Sequence, residues 1–249
     1  MMSFVRLSVG VVYMAIATLV HALILLALFW SRNLRIRSCN YWGFVTGRFC
    51  MWISGSTLTV VGAEHLDGSR PAIYISNHTS ALDIFMGIWQ APVGSVGVAK
   101  KEVVYYPFFG QLYWLSGHLR LDRGNHERAM ASMRELADIV RAFGLSIWMW
   151  PEGTRSRDGR LLPFKKGMVH TAIETGLPVV PVVVSGAHKA WEKGTSRIRG
   201  VPITMTVLPA ISTAGWRDRP AQEVVDELEA LFCAHLPADQ HPARSLPAA

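Results

Sequence analysis

From Leu7 to Trp30 the chain carries no Asp, Glu, Lys or Arg. As a helix, this run of about 24 residues would reach roughly 36 Å, against a bilayer hydrocarbon core of about 30 Å. No strand of an ordinary sheet is that long, so the segment is a helix, and its flanks decide what kind. The first acidic residue is Glu64, whereas Arg6, Arg32, Arg35, Arg37 and Arg48 precede it and supply most of the formal net charge of +7. Arginines beside an apolar helix, with Trp30, Tyr41, Trp42 and Trp52 close by, point to membrane lipids as partners and away from nucleic acid. Arg32, Arg35 and Arg37 after the run outweigh Arg6 before it, which places the rest of the chain on the cytoplasmic side. The run exceeds a signal-peptide core of about 7 to 15 residues and no A-x-A site follows, so an uncleaved anchor is expected. Cys39, Cys50 and Cys233 form no C-x-x-C pair and are odd in number, which suits reduced thiols.

Between Ser38 and Ser54, the large apolar residues Trp42, Val45, Phe49 and Trp52 recur at three and four positions. This predicts a second, interfacial helix that continues the anchor. From Thr57 the pattern changes to short β-rich runs: 58–61, 72–75, 94–99, 146–150, 179–184 and 204–208. Helical stretches are expected at 80–89, 108–116, 126–143, 167–175 and 223–235. The alternation predicts an α/β fold, a mostly parallel sheet flanked by helices. The division that follows is an anchoring segment over 1–56, one domain over 57–236 and a loose Pro- and Ala-rich tail over 237–249. Within GLPVVPVVV, Pro178 opens a strand and Pro181 interrupts it, which ordinarily marks an edge strand or a bend.

The segment NHTSALD (77–83) follows the run IYIS, at a strand-to-helix turn. Ser80 and Asp83 have capping-box spacing. His78 lies just before that cap, where the Asp83 side chain, tilted toward the helix N-terminus, can reach it. A histidine held by a carboxylate is fixed in one tautomer and becomes a base suited to taking a proton from an alcohol. WPEGTRS (150–156) follows the strand SIWMW and turns through Pro151 and Gly153. Gly153 allows close backbone approach to a ligand, and Arg155 suits a phosphate or carboxylate. In LRLDR, Arg120 and Arg123 flank Asp122, which by itself suggests a surface ion-pair cluster. The histidines show no metal-ligand spacing, and no G-x-S-x-G is present, which counts against a serine hydrolase.

NHTSALD, PFFGQLYWLSGHLRLDR, WPEGTRS and LPVVPVVV stand in the order of four motif blocks, and with them the chain resembles the glycerolipid acyltransferases, in particular the bacterial 1-acylglycerol-3-phosphate acyltransferases. The resemblance spans Gly62 to Pro209. It implies direct acyl transfer, with no resident cofactor, from acyl-CoA or acyl carrier protein to the free hydroxyl of lysophosphatidic acid, giving phosphatidic acid. His78 would be the general base and Asp83 its orienting carboxylate. Arg123, Arg155 and Lys100 would bind the acceptor phosphate, with Lys165 as a further cation. Asn77, Glu152, Gly153 and Thr154 match positions that contact substrate, and a backbone N–H near Gly153 would face the developing oxyanion. The implied location is the cytoplasmic face of the cell inner membrane. Acyltransferases for other lysolipids, such as lyso-ornithine lipid, share these blocks, so that acceptor stays open. Trp150 stands where the block carries Phe, an exchange expected to affect packing alone.

Overall fold

The computed structural model describes residues 2–105, 109–121 and 126–243. Two long helices come first, α1 (Met2–Ala27) and α2 (Arg32–Ser54). The chain then alternates through β1 (Thr57–Val61), β2 (Ile73–Ser76), α3 (Leu82–Gln90), β3 (Ser95–Lys100), α4 (Phe109–Ser116), β4 (Leu119–Leu121) and α5 (His126–Phe143). It continues through β5 (Ser146–Met149), α6 (Gly167–Thr175), β6 (Val179–Ser185), α7 (Ala187–Ala190), β7 (Pro202–Val207) and α8 (Ala221–His235). Each expected strand is present, its ends shifted by a residue or two. β4 is an additional edge strand within LRLDR, where the sequence suggests only a surface cluster; its three residues are too few to show a period.

The strands form one sheet in the order β1-β7-β6-β2-β5-β3-β4. Among the described strand pairs, β6–β7 alone is antiparallel. The central strands β6, β2 and β5 read as continuous apolar runs because both sheet faces are covered. Ile73, Ile75, Ile147, Met149, Val179 and Val183 pack beneath α5, α6 and α8. Tyr74, Trp148, Val180, Val182 and Val184 face the opposite layer, which includes Met51 of α2, Leu82 and Met86 of α3, and Ala187 and Ala190 of α7.

Pro181 is not on an edge. β6 lies between β7 and β2, with Pro181 opposite Ile75. The Pro181 carbonyl accepts from the Leu208 N–H at 2.9 Å, one residue past the end of β7. In a strand a residue's N and C=O point to the same side, so the donor that proline lacks would have pointed beyond the β7 ladder.

α1 runs antiparallel along α2. Arg6 donates to the Ser54 carbonyl (3.0 Å), the Tyr13 hydroxyl meets that of Thr46 (3.4 Å), Trp42 Nε1 donates to the Ala17 carbonyl (3.2 Å), and His21 meets Cys39 (3.4 Å). α2 begins earlier than its apolar spacing suggests, capped by Ser31, whose hydroxyl accepts from the Leu34 N–H. It is both core and surface helix: Ile36, Cys39, Gly47 and Met51 are buried, whereas Tyr41, Val45 and Trp52 are exposed. The buried side crosses α3 so closely that a Cβ at Gly47 would stand 2.3 Å from the Phe85 carbonyl oxygen. Only glycine fits there.

The chain beyond α8 is not loose at its start. Gln240 is buried, its side chain accepting from the Gly186 N–H (3.1 Å) and donating to the Gly159 carbonyl (3.2 Å). Its carbonyl accepts from the Leu161 N–H at 2.8 Å. Proline- and alanine-rich composition marks a segment without a core of its own, but one amide that satisfies two loops is enough to dock it.

Candidate active site

Three adjacent strands, β6, β2 and β5, end side by side, and the loops leaving them carry NHTSALD, WPEGTRS and the start of α7. Crevices at the carboxyl ends of strands are the usual ligand sites of such sheets. Asn77 extends the β2–β6 ladder with its side chain: Nδ2 donates to the Val184 carbonyl (2.8 Å) and Oδ1 accepts from the Val184 N–H (2.7 Å). Its amide is thus committed to the backbone, one step before His78.

His78 Nδ1 lies 2.9 Å from Asp83 Oδ2. The same oxygen accepts from the N–H groups of Thr79 (2.6 Å) and Ser80 (2.7 Å). Asp83, in the first turn of α3, reaches back over the preceding loop as its spacing predicts, and it is buried. Three donors converge on one oxygen of an acceptor-only carboxylate, which assigns the proton to Nδ1 and leaves Nε2 of His78 as the proton acceptor. The Ser80 hydroxyl, expected to cap the helix, accepts from the Leu82 N–H at 3.3 Å and donates to the Trp191 carbonyl at 3.0 Å. Trp150 stacks on the His78 ring, centroids 4.8 Å apart and planes 23° apart. The Phe-to-Trp exchange therefore bears directly on the imidazole, and the expectation of a remote packing effect is corrected: the sequence shows ring size but not that β5 ends beside β2.

The second loop holds His78 by its backbone. Glu152 Oε1 accepts from the His78 N–H at 2.6 Å, and the Ser156 N–H donates to the His78 carbonyl at 2.8 Å. Glu152 Oε2 accepts from the Leu162 N–H at 3.2 Å, and the side chain is buried. Burial raises the Glu152 carboxyl to about 8, opposed by its two backbone hydrogen bonds and reinforced by the charge of Asp83 nearby.

Gly153 closes a turn in which its N–H donates to the Trp150 carbonyl (3.0 Å), with φ at +71°, a conformation glycine adopts freely. That N–H is occupied within the turn. Among the described residues, no partner meets the N–H of Thr154 or Arg155. The Lys165 side chain lies over Gly153, with Nζ 3.2 Å from where a Cβ would stand. Arg155 is half-buried, and its guanidinium has no partner among the described residues. Lys193 Nζ donates to the Thr154 hydroxyl (3.2 Å) and the Arg155 carbonyl (2.7 Å), strapping the loop from above. Nothing in the sequence around Lys193 announces this contact. Arg123 and the side chain of Lys100, which ends β3, lie outside the described residues. A small cavity of about 210 Å³ adjoins Thr79 between Arg157, Gly159 and His188. A larger cleft, about 860 Å³, opens among Arg70, Tyr74, Thr213 and Arg217; it touches Pro178 and Val180 of LPVVPVVV but no residue of NHTSALD or WPEGTRS.

The acyltransferase family signature matches residues 57–185, which hold both catalytic-looking loops and all three of these strands. The chain belongs to the acyltransferase family. Among its relatives is the 1-acyl-sn-glycerol-3-phosphate acyltransferase of Limnanthes douglasii, 48% identical over 85% of this chain and 75% of the relative. The enzyme of that name from Cocos nucifera is 44% identical over 97% of this chain and 78% of its own length. The crystal structure of the 1-acyl-sn-glycerophosphate acyltransferase of Thermotoga maritima superposes with a TM-score of 0.74, covering 94% of each chain at 22% identity. At that identity the likeness establishes the fold. This chain thus presents, on neighbouring loops, a carboxylate-held histidine and a guanidinium without a partner among the described residues.

Proposed function

We propose that this acyltransferase moves an acyl chain from acyl-CoA or acyl carrier protein to the free sn-2 hydroxyl of lysophosphatidic acid, forming phosphatidic acid. The observation that carries the chemistry is the His78–Asp83 pair, 2.9 Å apart, with Nε2 left as the acceptor. His78 takes the proton of the acceptor hydroxyl as its oxygen attacks the thioester carbonyl; the C–S bond then breaks, and the imidazolium returns its proton to the departing thiolate. General base catalysis of this kind is worth about 10²- to 10⁴-fold. The N–H groups of Thr154 and Arg155 meet the charge that grows on the carbonyl oxygen; one such donor contributes about 2.7 to 4 kcal/mol. Arg155, with Arg123, Lys100 and Lys165, holds the acceptor phosphate. The names of the relatives, matched over most of the chain, support a 1-acylglycerol-3-phosphate acceptor.

The exposed apolar face of α1 and α2, including Leu19, Leu23, Tyr41 and Trp52, lies in the cytoplasmic leaflet of the inner membrane and brings the site to its lipid. α1 is apolar enough to cross a bilayer, with a mean hydropathy of 2.4, but it returns along α2, which is itself docked on α3. A hairpin lying in one leaflet satisfies both facts.

The test is transfer from a labelled acyl thioester in membranes carrying wild type or His78→Ala, with lysophosphatidic acid and lyso-ornithine lipid offered in competition. Phosphatidic acid from wild type alone supports the proposal. Preference for the other lysolipid removes the acceptor assignment, and full activity in the variant removes the mechanism.

A further inference from the structure

Sequence resemblance assigns Glu152 to the substrate, yet its carboxyl group is turned inward and both oxygens are engaged by the protein. One oxygen takes the N–H of His78 itself, from 74 residues away in the chain. The other takes the N–H of Leu162, at the head of the loop that leads to Lys165. The next donor along that loop, the Phe164 N–H, goes to a second buried carboxyl group, Glu229 of α8. The Lys165 side chain returns to lie over Gly153, beside Glu152. The base at the end of β2 and the cation-bearing loop after β5 therefore meet through one side chain.

We infer that Glu152 is a positioning residue, a clasp that fixes the height of His78 against Asp83 and ties the 162–165 loop to it, and that it makes no contact with either substrate. This inference rests on His78 being the base of the proposed function. A misplacement of about 1 Å in such a group costs roughly 10²-fold in rate. Glu152→Gln keeps a carbonyl oxygen for the His78 N–H but turns an amide donor toward the Leu162 N–H. Glu152→Ala removes both acceptors and leaves the His78 and Leu162 N–H groups without these partners.

The experiment uses the full-length chain in detergent micelles, wild type beside both variants. It measures kcat and KM for the lysolipid and the thioester, and follows His78 by ¹⁵N NMR of selectively labelled histidine across pH. The clasp predicts that kcat falls in both, about 10²-fold in Glu152→Ala and less in Glu152→Gln, with both KM values within about threefold of wild type. It also predicts that the His78 titration and its tautomer balance shift in the same order. A tenfold or greater rise in acceptor KM with kcat retained overturns the inference in favour of a substrate contact, as does a His78 titration that neither variant moves. If Glu152→Ala does not fold, Glu152→Gln decides on the same criteria. Failure of wild type to acylate any lysolipid would sink the proposed function alone, because the NMR arm still judges the clasp.

Discussion

The N-terminal hairpin and the strand-end loops invert each other's chemistry. Along α1, α2 and the turn between them the outer surface is apolar: Phe4 is 74% exposed, Leu19 67%, Trp30 76% and Trp52 74%. At the ends of β2 and β5 the interior is polar instead: Asn77, Thr79, Ser80, Asp83, Glu152 and Ser156 are all buried. Apolar side chains left outside need a non-aqueous neighbour, whereas polar groups taken inside need fixed partners, and each region supplies what the other lacks. In the proposed function the hairpin's surface sets where the molecule sits, and the loops' interior sets what it does there. The close crossing of α2 on α3 joins the two, because α3 carries Asp83.

If the regions divide labour in this way, substitutions should separate binding to membranes from turnover. The largest effect belongs to the base. His78→Ala or Asp83→Asn should lower acyl transfer by about 10²- to 10⁴-fold while leaving the protein in the membrane fraction, since one removes the acceptor nitrogen and the other the group that sets its tautomer. Turnover and sedimentation with vesicles, measured on the same preparations, check this. The reverse case is Leu19→Asp with Leu23→Asp, where each loses about 1.5 to 3 kcal/mol of apolar burial in lipid. Vesicle binding should drop at least tenfold while turnover on a micellar acceptor stays within about twofold; equal loss of both would break the division.

A smaller effect tests the joint. Gly47→Val forces a side chain against the Phe85 carbonyl and should cost about 1 to 3 kcal/mol in stability, with a parallel fall in kcat as α3 moves. Thermal melts beside kinetics would show it, and a stable variant with normal kcat would mean that the crossing can relax. The smallest concerns pH. In the fold the Glu152 carboxyl group keeps its proton up to about 8, against an ordinary value of 4.5, so the native chain binds a proton that the unfolded chain releases. This contribution to stability is full below about 4.5 and declines as pH rises toward 8. Urea midpoints of Glu152→Gln should therefore fall less than those of wild type between these pH values.

Much of this arrangement is legible in one dimension. The 24-residue apolar helix, the alternation of strands and helices, and the i, i+5 spacing of His78 and Asp83 all express local geometry, and local geometry repeats with the sequence. β4 and α7 escape because three or four residues carry no period. The Pro181 expectation fails because an edge is a property of neighbours: β7 ends where the missing donor would point. Gln240 looks like part of a tail because the two partners of its side chain, Gly159 and Gly186, lie more than fifty residues away.

The sequence by itself determined an apolar helix with arginine flanks, an α/β alternation, and a histidine with its carboxylate five residues on. Those are relations between residues close in the chain, where bond geometry and helical pitch leave few choices. Only the tertiary structure decided that α1 folds back along α2, that Trp150 covers the face of His78, that Gly153 spends its N–H within its own turn, and that Glu152 grips the backbone of His78. Each depends on which strands lie side by side and how closely two helices cross. Sheet order and packing distance are set by the whole core at once, and no single segment encodes them.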